Sequence, residues 1–140
     1  MTMIAAAALV AVAGVAGYVR PAPVRAQAGH IDLSARPAPI GPISATPVQS
    51  SLNSAYVDLA QGDLARLDAV AVATPRTTRI AGSVGAGHIT WQTRSALWGF
   101  PDYATAQIIG ENITIFARAR FGKSDIGVNK SRLSDWISKL

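Results

Sequence analysis

The chain has 140 residues, with 13 basic against 8 acidic side chains for a formal charge of +5, and it contains no cysteine. Without a thiol there is no disulfide framework, thiolate metal site, iron–sulfur cluster or cysteine nucleophile, and the lack of cysteine does not choose a compartment. At 49% hydrophobic the chain is too apolar for a disordered tail, and its length suits one small domain.

Met3 to Val19, MIAAAALVAVAGVAGYV, is uncharged over 17 residues. As a helix it spans roughly 25 Å, a little short of the ~20 residues that a bilayer core asks for. It is rich in alanine and holds Gly14 and Gly17, so it is only modestly hydrophobic. Three readings compete: an uncleaved membrane anchor, a secretory signal cut at Ala26-Gln27-Ala28, and a buried core helix. The anchor is favoured over the signal because no basic region precedes the apolar run and Arg20 and Arg25 fall before the cut. The expected location is therefore the bacterial inner membrane, crossed once by residues 1–20; the alternative is the periplasm after cleavage. Arginines only on the C-terminal flank favour a cytoplasmic domain by the positive-inside tendency.

Six of the eight prolines, from Pro21 to Pro47, lie in residues 21–50, which lack helical or alternating periodicity. This predicts an extended, semi-rigid linker that lifts the following domain off the bilayer. The domain is expected over 51–140. Asp63 is a plausible N-cap for a helix with Leu64, Leu67, Val70 and Ala71 on one face, stopped by Pro75. Thr77–Ser83 and His88–Ser95 read as a hairpin about Gly85-Ala86-Gly87, and Tyr103–Ile109 with Ile113–Arg120 as a second about Gly110-Glu111-Asn112. Leu133, Trp136, Ile137 and Leu140 recur at helical spacing in a last helix opened by Asn129 or Ser131. The expected fold class is α+β: an antiparallel sheet of about four strands, two helices packed on one face, and an N-terminal hydrophobic helix.

Several chemical signatures fail on spacing. Gly122-Lys123-Ser124 lacks the phosphate-loop glycine five residues earlier, where Ala117 stands, and the glycines of 82–87 join strands instead of opening a helix. His88, Ser95 and Asp102 supply triad residue types without a nucleophile-elbow context. Two histidines, His30 and His88, make a zinc site improbable, and both read as solvated. No cofactor or metal is implied. Trp91 and Trp136 lie on apolar stripes and read as core, whereas Trp98 and Phe100 sit in a bend that either packs locally or dips into a membrane interface.

Two stretches carry a family resemblance. TRSALWGFPD, residues 93–102, and RARFGKSDIGVN, residues 118–129, resemble the two signature segments of domain of unknown function 1499. In that family an Arg-Ser pair precedes a Phe-Gly-Phe-like bend ending in Asp, and an Arg-rich strand runs into Gly-x-Ser-Asp-x-Gly-x-Asn before the last helix. The resemblance covers roughly Leu64 to Leu140, and the anchored, proline-linked layout is similar to alphaproteobacterial members. Trp98 departs from the usual Phe, and Ala117 and Ala119 replace hydroxyl residues often found beside the arginines. The resemblance implies no activity.

The candidate site residues are Arg94, Asp102, Arg118, Arg120, Ser124, Asp125 and Asn129. If they converge, they form either an arginine–carboxylate network tying loops to the sheet or an anion site. Ser124, Asp125 and Asn129 also have a local reading, as turn and helix-capping groups. Residues 76–140 hold 9 basic against 4 acidic side chains, which favours anionic headgroups over nucleic acid, for which no motif is present. The expected function is a membrane-tethered, non-enzymatic module whose arginine-bearing face takes an anionic ligand, a lipid surface or an envelope protein. The alternatives are an enzyme using an Arg/Asp cleft, marked by a raised carboxylate pKa at Asp102 or Asp125, and an envelope assembly factor.

Overall fold

The computed structural model describes residues 23–35, 48–50 and 53–140. The expected hydrophobic helix of 1–20 and the linker stretch 36–47 lie outside the described residues. Within them the chain runs α1 (Ala26–Gly29), β1 (Gln49–Ser50), β2 (Ser54–Ala60), α2 (Leu64–Ala73), β3 (Thr77–Ser83), β4 (His88–Arg94), β5 (Pro101–Ile109), β6 (Asn112–Ala119) and α3 (Val128–Ile137). The strands form one antiparallel sheet in the order β1-β2-β6-β5-β4-β3. Both expected hairpins are present, β3 with β4 and β5 with β6. The sheet exceeds four strands because Ser54–Ala60 returns to pair along the outside of β6, with Val57 opposite Ile115 and Leu59 opposite Ile113. Ala55, Val57 and Leu59 alternate with Tyr56 and Asp58, the period-2 signal of a half-buried strand.

One face of the sheet carries the apolar residues and receives both longer helices. Ile89, Trp91, Ile113 and Ile115 meet Leu64, Leu67 and Ala71 of α2 and Leu133 and Trp136 of α3, all buried. Full burial of each large side chain is worth about 1.5–3 kcal/mol, so this layer dominates the stability. Trp91 and Trp136, core residues as expected, meet edge to face with centroids 5.6 Å apart. Their indole N–H groups are satisfied by the Asp68 carboxylate at 2.9 Å and the Thr74 hydroxyl at 2.8 Å. Asp63 caps α2 by accepting from the Arg66 amide at 3.1 Å, as its sequence position implies.

Side chains alternate across a strand, so the opposite face bears Thr90, Gln92, Tyr103, Thr105, Thr114, Phe116 and Arg118. This face is mostly polar, and a strap formed by residues 23–35 lies across it. The Leu33 amide donates to Gln107 Oε1 at 2.6 Å, the Thr105 hydroxyl donates to the Gly29 carbonyl at 2.9 Å, and Leu33 is 2% exposed. A Cβ on Gly29 would lie 3.2–3.3 Å from the Tyr103 ring, so glycine lets the strap approach this closely. Residues 23–35 thus differ from the extended spacer expected over 21–50. The strap has no periodicity of its own to read, because side chains of distant strands satisfy its backbone groups. His30 and His88, expected to be solvated, stack with ring centroids 3.7 Å apart.

Candidate functional site

The register of the sheet decides which candidates meet. Tyr103 pairs with Gln92 on one side and Arg118 on the other, which sets these three in a row across the polar face. Asp102, one residue earlier, points to the helix face with its partner Thr93. There Arg132 of α3 reaches it at 3.1 Å in a largely buried ion pair. Burial raises the Asp102 carboxyl above its ordinary value, against the lowering effect of Arg132. The expected clustering of Asp102 with the strand arginines therefore does not occur, since they project from opposite faces.

Ser124, Asp125 and Asn129 take up the local role. The Ser124 hydroxyl accepts from the Ile126 amide at 3.2 Å, and Asp125 accepts from the Gly127 amide at 2.8 Å and the Asn129 side-chain amide at 2.7 Å. Asn129 is fully buried and accepts from Arg132 at 2.6 Å, which links the turn to Asp102. The residue flanking α3 is Gly127, in the left-handed region at φ 76°, so Asp125 rather than Asn129 or Ser131 tends the helix start. Arg94 lies on the polar face and donates to the Gly99 carbonyl at 3.0 Å, bracing the bend that follows β4.

Arg118 and Arg120 lead to a different place. Arg118 Nη2 donates to the strap carbonyls of Ala28 at 3.2 Å and Gly29 at 2.9 Å. Its guanidinium carbon stands 5.2 Å from the Phe116 ring centroid and 5.8 Å from that of Tyr103. Nη1 is buried and has no hydrogen-bond partner among the described residues, and desolvation holds the group below its ordinary pKa. Gln92 Oε1, at the other end of the row, is also buried and without a partner among the described residues. Arg120 Nη1 donates to the Pro23 carbonyl at 2.8 Å and packs over Phe121.

Between strap and sheet, Arg25, Arg118 and Arg120 with Tyr103 and Phe121 line a cavity of about 400 Å³. Among the described residues none that lines it is acidic. Three guanidiniums beside aromatic walls and no carboxylate make an electropositive recess. Such forks match the oxygens of carboxylate or phosphate, which Lys does not reproduce. Arg25, Tyr103 and Phe121 are the members that the sequence reading missed. Arg25 sits in a segment read as linker, and Tyr103 lies in a weakly alternating strand whose partner is known only from the register. Among the described residues no group of three or more His, Cys, Asp or Glu side chains is placed to hold a metal ion.

No curated protein and no solved structure matches the chain. A family model matches residues 21–140, a span that takes in the strap as well as the sheet and its helices. The chain therefore belongs to the family described as protein of unknown function (DUF1499).

Proposed function

We propose that this chain is a membrane-tethered, non-enzymatic module that binds a small anion, a carboxylate or phosphate group, in the recess between the strap and the polar sheet face. The observation that carries the reading is Arg118: a guanidinium largely removed from water, held by carbonyls and aromatic rings, with Nη1 buried and without a partner among the described residues. An unsatisfied N–H of a buried cation costs about 1–3 kcal/mol or more, and an anion beside Arg25 and Arg120 offsets that cost. Its oxygens displace part of what the strap carbonyls supply, so binding is coupled to a small shift of the strap. The tether is the apolar run Met3–Val19, which supports an inner-membrane location.

The test is titration of the full chain, in detergent, with inorganic phosphate. Saturable thermal stabilisation is expected, and Arg120→Gln should weaken it about tenfold, the worth of one charge-assisted hydrogen bond, while leaving the phosphate-free unfolding temperature close to that of the parent. Equal stabilisation of parent and variant would show that the arginines serve only the fold. A second reading, an enzyme, draws on the raised Asp102 carboxyl. The raised value reflects burial under α3 beside Arg132, and Arg118 lies across the sheet from it. The two do not share a cleft.

A further inference from the structure

Both signature bends leave the same end of the sheet. The connection after β4, residues 95–100, starts where Arg94 pairs with Pro101, and the connection after β6, residues 120–127, starts where Asp102 pairs with Ala119. The Arg120 amide donates to the Pro101 carbonyl at 3.2 Å, which holds the two bends side by side. Large apolar side chains stand exposed on them: Trp98 at 40%, Leu97 at 66% and Ile126 at 94%. Ile126 also has φ 54°, a left-handed conformation that is costly for a β-branched residue and is held by the Ser124–Asp125 turn. A strained loop that presents an isoleucine almost wholly to solvent serves contact rather than core packing. Lys123, on the same connection as Ile126, is exposed as well.

The strap begins at this end too, because Arg120 grips the Pro23 carbonyl at 2.8 Å. The uncharged run Met3–Val19 stops four residues before Pro23. Four residues span at most about 14 Å when fully extended. Whatever surface the apolar run enters must therefore lie within that reach of Pro23, which Arg120 holds at the end of the sheet that carries the two bends. We propose that this end of the domain seats on the lipid bilayer entered by Met3–Val19, with Trp98, Leu97 and Ile126 in the interfacial layer and Lys123 against anionic headgroups. Tryptophan is enriched at that depth, and the neighbouring carboxylates do not oppose it: Asp102 is paired with Arg132 and Asp125 is engaged by the turn amides. The strap is then a pin that fixes the orientation of the sheet, in place of a spacer that lifts it. This inference rests on the tethered reading and is independent of the anion recess.

Trp98 is the natural probe, since Trp91 and Trp136 are fully buried in the core. The full chain would be reconstituted in vesicles of phosphatidylcholine and phosphatidylglycerol, with and without bromine on the acyl chains, beside Trp98→Phe. Co-flotation with the vesicles reads the tether; the difference in quenching between parent and variant reads the position of Trp98. The expected result is co-flotation, quenching by brominated chains that disappears in Trp98→Phe, and a docked fraction that responds to charge. At the usual worth of one headgroup-facing cation, Lys123→Ala should lower the docked-to-undocked ratio about fivefold. Co-flotation with Trp98 open to aqueous iodide and untouched by bromine would overturn docking and leave the tether standing. Trp98 shielded from both quenchers would also overturn it, by showing that protein covers the patch. Failure to float would remove the tether and the docking together.

Discussion

At the scale of single residues, Asp68 shows how one carboxylate joins the layers. It is 6% exposed, accepts from the Trp91 indole at 2.9 Å, and is gripped by both arms of the Arg79 guanidinium. Asp68→Ala would leave a buried indole N–H without an acceptor and Arg79 without a partner. Arg79 is 43% exposed, so water makes good part of its loss. The expected destabilisation is about 2–3 kcal/mol, read as a lower urea midpoint with an unchanged slope. A change below half a kcal/mol would mean that the pair contributes little beyond packing. The same polar logic was hard to read in the sequence. Asp68 falls on the apolar stripe of α2 beside Leu67 and Ala71, and nothing local shows that its partners come from β3 and β4. The Asp102 and Arg118 candidates were legible as residues, but the pleat that sends them to opposite faces follows from register. Arg118 and Arg120 meet at one recess, whereas Asp102 lies on the helix face, where Arg132 and Asn129 link it to Asp125.

Among the elements, the two hairpins and both longer helices were legible because each carries its own signal: period 2 about glycine turns, period 3.6 after a cap. β2 carries such a signal as well, but Tyr56 and the buried Asp58, which receives the Thr114 hydroxyl, blur it. The strap carries none. Its order comes from partners some 60 to 97 residues away along the chain, and that is why composition alone favoured a linker. Its central latch is the histidine stack. His30 Nδ1 meets the Thr90 hydroxyl at 2.8 Å and His88 Nε2 meets the Ile31 carbonyl at 3.0 Å. Desolvation, and then the neighbouring His88, hold the His30 pKa below its ordinary value of 6.5. The folded state thus favours neutral His30, so its contribution is present above pH 6.5 and is lost as pH falls through the lower folded value. Asp32, which accepts from Ser34 and Gln107, remains ionised through that range. Hydrogen exchange across 23–35 should accordingly be slow at about pH 7.5 and faster, after correction for intrinsic rates, at about pH 5, with the β5–β6 amides unchanged. His30→Gln should remove most of that dependence. Uniform behaviour of strap and sheet across the range would show that the stack is not a latch.

For the whole molecule, the polar sheet face, the strap and the basic balance of residues 76–140 describe one design. An antiparallel sheet packs its apolar face under two helices and keeps the other face free for function; here that face is half-roofed by the chain that arrives from the N-terminal apolar run. The roof brings Arg25 to Arg118 and Arg120 and closes a recess that neither part forms alone. Burial of Arg118 without a carboxylate is then the feature that a purely structural sheet would avoid, because an unpaired guanidinium is costly away from water. The most direct measurement is the nitrogen-15 spectrum of arginine side chains in the full chain during phosphate titration, with Arg118→Lys to assign the resonance. Saturable displacement of the Arg118 signal, with Arg79 and Arg132 unmoved, is the predicted result. A spectrum in which Arg118 stays fixed at saturating phosphate, or in which all arginines drift together without saturation, would contradict an anion site at the strap.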